Sequence, residues 1–347
     1  MEKITVDNFI TDDKTDKVYI SSLIDTEYGD LDVKTRSKLK ACILKYCRDM
    51  DSCSDCESLY NTRDVWARDY MPIQLTGKTE KSKAIYLSFV YRPDYLVDYT
   101  KCTTDWQLDK VHPQKQTQKD FLNSDFVQMI PLILDGGNVV KAIVNDKPCI
   151  IMCDKVLREN NVNEKEFRDW WERWWKDNFD GTEMQLVLLP WEGKEINPIG
   201  HADGMVRYIG NNKVLMTNYA DYDKIYGSDY GKRYKEKLEK VGFDVIELSY
   251  LDKFDYEKDK TFKRLFDSTW CYINYLQIGN RVLIPYLGYD VLDKEAKKQI
   301  EDAFNMKVEQ INVNMYSIVV DMNDKQNSGG ALNCLTWTIR TKNIDKN

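Results

Sequence analysis

The sequence predicts an α/β fold built from repeated units, and three observations lead there. Charged amphipathic helical stretches alternate with short apolar β runs. Gly/Asn turns introduce further β runs at several places. The helix-then-strand pairs recur about every 60 residues, which allows roughly five units in 347 residues.

Taken in order, FLNSDFVQ (121–128) reads as a helix leading into the strand MIPLILDGG (129–137). The helical DWWERWWKDNF (169–179) precedes the strand MQLVLLPW (184–191). YKEKLEKV (234–241) precedes DVIELSY (244–250), and DKEAKKQIEDAFN (293–305) precedes KVEQINV (307–313). Each time a period near 3.6 gives way to a β pattern. NDKPCIIMC (145–153), GNNKVLMTN (210–218) and GNRVLIPYLG (279–288) read as strands entered through tight turns. Trp170, Trp171, Trp174 and Trp175 stand at helical spacing among charges, a pattern for packing a helix onto its neighbours. Near the end of the sequence comes NSGGALNCLTWTIR (327–340), where Leu335, Trp337 and Ile339 alternate as in a strand. No long Pro/Gly/Ser linker interrupts the series, so residues 1–347 read as one domain rather than two.

Bulk composition removes several function classes. A hydrophobic content of 42% with 31% charged residues is that of a globular protein. A net charge of −7 argues against a nucleic-acid binder; it is that of a solvated acidic surface and is compatible with a cationic small molecule. No apolar run approaches the roughly 18 residues of a membrane span, and the first residues lack a signal-peptide pattern. Nine scattered cysteines predict a reduced, cytoplasmic protein. Cys53 and Cys56 form a lone CxxC, and the two histidines, His112 and His201, are not in ligand spacing with it. No metal site is expected. Assembly into a homo-oligomer is left open.

Polar residues that resist a structural explanation recur with the same period. Asp69, Asp135, His201, Asn274 and Cys334 follow one another at steps of 66, 66, 73 and 60 residues. In a radial repeat, equivalent strand ends converge, so one polar group per unit would meet the others in a single pocket. Asp203, two residues after His201, would share its side if both lay on a strand. Singly, each has a plain alternative: Asp69 could pair with Arg68, Asp135 could cap a turn, and Cys334 could fill a core. Together, cysteine, histidine and three acids describe a reactive site. A Cys–His–acid set suits acyl transfer, with an oxyanion hole. Surplus carboxylates would repel an oxyanion but would hold a planar guanidinium, and they tilt the reading toward attack on a guanidinium carbon.

The motifs WARD (66–69), DGGN (135–138), GHADG (200–204), YIN (272–274) and GGALNC (329–334) resemble, in this order, those of the agmatine deiminase and bacterial peptidylarginine deiminase family. That family belongs to the guanidine-modifying (pentein) superfamily, and the likeness runs from about residue 60 to about 340. It implies a five-bladed pseudo-symmetric α/β propeller. It implies that Cys334 attacks the guanidinium carbon and forms a covalent thiouronium, with His201 protonating the leaving ammonia and then activating water. Asp69 and Asp203 would grip the guanidinium, Asp135 would orient His201 or touch substrate, and Asn274 and Trp66 would line the pocket. Arg92 falls where peptidylarginine members carry a carboxylate-binding arginine. Gly329 and Gly330 would let the backbone turn ahead of the nucleophile. No cofactor is required, and the partner would be a small guanidino compound such as agmatine, arginine or an arginine peptide.

The chain departs from the agmatine deiminase pattern in three places. Asp135 stands where a glutamate is typical, Asn333 where histidine precedes the cysteine, and Tyr70 and Met71 replace the small pair of WxRDTGP. These changes bear on the substrate more than on the reaction. An amidinotransferase of the same superfamily and a catalytically silent propeller that binds a ligand are the competing readings.

Overall fold

The computed structural model describes residues 3–25, 33–48, 57–62, 64–93, 118, 126–191, 199–253, 262–319 and 329–344. Five three-stranded sheets are built to one plan. In the second unit β3 (Ile73–Thr76) pairs antiparallel with β4 (Ile85–Val90), which pairs parallel with β5 (Phe126–Ile133). The third repeats this with β6 (Val140–Val144), β7 (Lys147–Cys153) and β8 (Gln185–Leu189). The fourth uses β9 (Val206–Gly210), β10 (Lys213–Met216) and β11 (Asp244–Glu247), and the fifth β12 (Leu276–Ile278), β13 (Arg281–Tyr286) and β14 (Glu309–Asn314).

The first unit draws on both ends of the chain. Its centre, β1 (Lys17–Ser21), pairs parallel with β2 (Glu57–Leu59) and antiparallel with the last strand, β15 (Thr336–Ile339). This closes the ring. The architecture is the five-bladed α/β propeller that the repeat and the motif resemblance lead one to expect.

Local chemistry explains the plan. The β6–β7 and β9–β10 hairpins turn on Asn145-Asp146 and Asn211-Asn212, all four with positive φ (49°, 55°, 50° and 58°). Such two-residue turns match the twist of the flanking strands, and Asn and Asp tolerate them best after Gly. Parallel pairing then requires a crossover, which helices supply. The crossover helix Glu164–Asn178 starts from a capping box, Asn163 accepting from the Glu166 amide (3.0 Å) while Glu166 accepts from the Asn163 amide (3.1 Å). Phe167, Trp171 and Trp175, spaced by four, bury one face of this helix against Leu75, Leu87, Ile130 and Ile150 of the second and third sheets. The core therefore lies between neighbouring blades and their helices, not within any one of them.

One assignment from sequence is corrected. Residues 126–128 of FLNSDFVQ belong to β5 rather than to a helix, because pairing with Ile85, Tyr86 and Leu87 overrides their weak helical pattern. Residues 121–125 of that stretch lie outside the described residues, as do Cys53, Cys56 and His112.

In every sheet a short helical turn runs directly ahead of the strand that pairs antiparallel with the central one. These are Ala67–Tyr70, Gly136–Asn138, Ala202–Gly204, Thr269–Ile273 and Leu332–Leu335. Successive turns touch each other, and the last touches the first.

Closure rests on Trp337, buried on β15 between Tyr19 and Tyr86, its indole N–H donating to the Pro72 carbonyl (2.8 Å). Trp337→Ala is expected to cost about 3–5 kcal/mol, and Trp337→Phe less. Urea unfolding curves of the two variants and wild type check this.

Candidate active site

The five turns bring the repeat-spaced residues together. Asp69 lies in the first turn, Asp135 caps the second, His201 caps the third and Asp203 lies inside it. Asn274 ends the fourth and Cys334 lies in the fifth. Asp203 therefore shares the site with His201 through a tight 3-10 turn rather than through strand alternation, a correction to the sequence reading. All six are buried; Cys334 is 5% exposed and His201 4%. Trp66 is half-buried just before the first turn. Arg92 differs: it is exposed, two residues past the end of β4.

His201 sits between two carboxylates. Its Nε2 is 3.0 Å from Asp135 Oδ2 and its Nδ1 is 3.7 Å from Asp69 Oδ1. Burial opposes a charge on the ring, but Asp69 and the hydrogen bond with Asp135 outweigh it and push its pKa up to about 9. At neutral pH the ring is an imidazolium that can give up a proton.

Cys334 faces a different acid. Its Sγ is 3.6 Å from Asp203 Oδ2, and its amide donates to Asn274 Oδ1 at 3.2 Å. Burial pushes the thiol pKa well up, with Asp203 and then Asp69 adding to it. The site thus holds a protonated thiol beside carboxylates. Asn333 directs Asp203, its Nδ2 donating to Oδ2 at 2.7 Å, while its own amide donates to the Asn274 carbonyl at 3.0 Å. Among the described residues three buried polar atoms here have no partner: Asp135 Oδ1, Asn274 Nδ2 and Asn333 Oδ1. Unpaired groups concentrated in one place mark where a ligand's polar atoms can be received.

The glycines serve close approach. A Cβ on Gly137 would fall 2.5 Å from Asp69 Oδ1 and 2.6 Å from His201 Nδ1, and one on Gly136 would strike the Arg68 carbonyl at 2.0 Å. A Cβ on Gly330 would lie 2.6 Å from the Trp66 ring and from Cys334 Cβ, and one on Gly329 would strike the Ile318 carbonyl at 1.9 Å. The pair before the nucleophile thus provides room for Trp66 and Cys334 to meet, where a tight turn was expected.

Sequence reasoning passed over Asn138. Its Oδ1 accepts from the Cys153 amide (2.6 Å) and the Ala202 amide (3.2 Å), which ties the Asp135 turn to the His201 turn. Its place as the last letter of DGGN was the available signal.

Residues 36–339 match the family described as Porphyromonas-type peptidyl-arginine deiminase. The chain belongs to this family. Membership carries the reaction class: the protein is a hydrolase of carbon–nitrogen bonds that acts on a guanidino group through cysteine chemistry. No curated protein sequence matches it. Among solved structures it is similar in fold to the agmatine deiminase of C. jejuni, at 16% identity and a TM-score of 0.63, covering 97% of this chain and 96% of that one. The agmatine deiminase of Enterococcus faecalis aligns at 15% identity and a TM-score of 0.62, over 98% of this chain and 100% of its own. A dimethylarginine dimethylaminohydrolase aligns at 13% identity and a TM-score of 0.51, over 93% and 99%. Among the described residues no helix is long and apolar enough to cross a membrane.

The raised pKa of His201 has a signed consequence. Its folded value near 9 lies above the ordinary value of 6.5, so its contribution to stability is complete below about pH 6.5 and is lost as pH rises through about 9. Against His201→Gln, wild type should lose about 3 kcal/mol of stability between pH 6 and pH 10 in urea titrations. NMR should show one of the two histidine rings titrating near 9.

Proposed function

We propose that the site hydrolyses the guanidinium group of an agmatine-like or arginine-like substrate to a ureido group and ammonia, with Cys334 as nucleophile. The observation that carries this is a buried thiol within hydrogen-bond reach of Asp203, in one ring of turns with an imidazolium flanked by Asp69 and Asp135.

The chemistry follows from charge. A planar cation entering between Asp69 and Asp203 takes up the negative charge that holds the thiol protonated, so substrate binding lowers the thiol pKa and its proton is released to solvent. The Cys334 sulfur then bonds to the guanidinium carbon. His201 delivers its proton to the departing nitrogen, the C–N bond breaks, and ammonia leaves a thiouronium on the sulfur. Neutral His201 next takes a proton from water, whose oxygen attacks the same carbon. The C–S bond breaks and the ureido product and thiol are restored. Asp135 holds His201 in position throughout, and Asn274 fixes the backbone at Cys334.

Asn333, in place of the histidine usual in agmatine deiminases, bonds Asp203 rather than entering the reaction in this scheme. Arg92, exposed beyond β4, suits the far end of a substrate that bears a carboxylate. Six described cysteines are free thiols, in keeping with a reducing, cytoplasmic setting.

Ammonia release from agmatine, free arginine and arginine peptides tests the reading. At least one should be turned over, and Cys334→Ala should fall by ~10³-fold or more. Equal ammonia from wild type and variant on every compound would defeat the proposal. Asp203→Asn should lower turnover by ~10²-fold or more while speeding iodoacetamide labelling of Cys334 at pH 8, because the thiol loses the carboxylate that raises its pKa. Arg92→Ala should raise KM for carboxylate-bearing substrates and leave that for agmatine unchanged.

A further inference from the structure

Asp203 and Asn333 face a second space besides the one around Cys334. A small cavity of about 20 Å³ is lined by these two with Asp12, Arg68, Lys141 and Arg207, among others. The three cations are strongly buried: Arg68 and Lys141 are 8% exposed and Arg207 2%. Only Arg207 has an ion-pair partner among the described residues, Asp12 Oδ2 at 2.7 Å. It also donates to the Tyr275 carbonyl and lies over the Tyr275 ring.

Among the described residues only neutral oxygens accept hydrogen bonds from the other two. Lys141 Nζ donates to the Gln74 carbonyl (2.9 Å), while Arg68 donates from Nε to the Asn333 carbonyl (3.4 Å) and from Nη2 to Thr338 Oγ1 (3.1 Å). Three positive charges thus share one lining with two carboxylates, and one of those, Asp203, is turned to Asn333 and Cys334. Buried charge in excess of its counter-charge is costly. Burial pushes Lys141 down to about 8; Asp12 and Asp13 oppose that shift, and Arg68 and Lys14 add to it. A water could accept from these donors but would leave the charge unbalanced. The space holds about one water-sized particle, which excludes phosphate, sulfate and carboxylates.

We infer that this cavity binds a single halide-sized monovalent anion, held by Arg68, Lys141 and Arg207. A coupling to the substrate follows, and it rests on the proposed function. When a guanidinium occupies Asp203, the three cations retain only Asp12, so the anion binds more tightly. By reciprocity the anion then strengthens substrate binding by the same factor.

The test compares sodium chloride and sodium bromide with sodium gluconate at constant ionic strength. Wild type should show a saturable rise in melting temperature of about 2 °C in either halide at roughly ten times Kd, absent in gluconate. Lys141→Met should abolish the rise. Identical curves in all three salts, or a saturable rise retained in Lys141→Met, would overturn the anion site. Should that variant not fold, bromide-soaked wild-type crystals decide by anomalous scattering: a peak in the cavity supports the site, and a cavity without one refutes it. For the coupling, KM for the guanidino substrate should be several-fold lower in chloride than in gluconate, and an equal KM would refute the coupling. The melting and diffraction arms need no substrate, so they stand even if no guanidino compound is hydrolysed.

Discussion

The ring of contacts among five short helical turns is the constraint on which the rest of this molecule depends. Each blade sends one turn to the axis, and successive turns touch, most of them tied by buried hydrogen bonds that have no water to fall back on. Asn138 joins the second turn to the third, the Gly137 amide bonds Asp69 between the first and second, and Asn274 joins the fourth to the fifth through both its backbone and its side chain. Buried polar networks are stable only when nearly every member is satisfied. Moving one blade would therefore break bonds in its neighbours, and the blades' apolar contacts and the axial hydrogen bonds reinforce each other.

Inside that frame, charge is distributed unevenly, and the unevenness makes the chemistry. The same acid works on two groups in opposite senses: Asp69 stabilises a proton on the imidazole as a counter-charge and stabilises a proton on the thiol by repelling a thiolate. Both groups rest in their protonated forms, so the site is poised to act only when a cation arrives to relieve it. Burial amplifies each of these effects by removing the solvent that would screen them.

The repeat was legible in the sequence because the second to fifth units place the same hairpin and returning strand at similar intervals, with crossover helices described in the third to fifth. Its period, together with residue type and local motif, singled out Asp69, Asp135, His201, Asn274 and Cys334. The turns that carry them were not legible, since three to five residues show no periodicity, and the residues were assigned to strand ends. The helix Val33–Arg48 and strands β1 and β2 also escaped notice. Their unit is split between the two ends of the chain, so no local pattern announces it. The glycines at 136, 137, 329 and 330 stand out in the motifs, but their reason is tertiary: atoms of Arg68, Asp69, His201, Ile318 and Trp66 occupy the volume a side chain would need. The conformational reason natural to a lone sequence did not apply. Arg68 looked like a simple partner for Asp69 but points instead toward Asn333 and Thr338.

The pairing of β15 with β1 has a consequence for the order of events in the cell. A ribosome makes β1 first and β15 last of the described strands, so the first blade waits, one strand short, until the strands of the other four blades have emerged. Cys334 lies two residues ahead of that missing strand. Closing the propeller and supplying its nucleophile are thus a single late step. Chains interrupted before that point carry the acids and the histidine but not the sulfur.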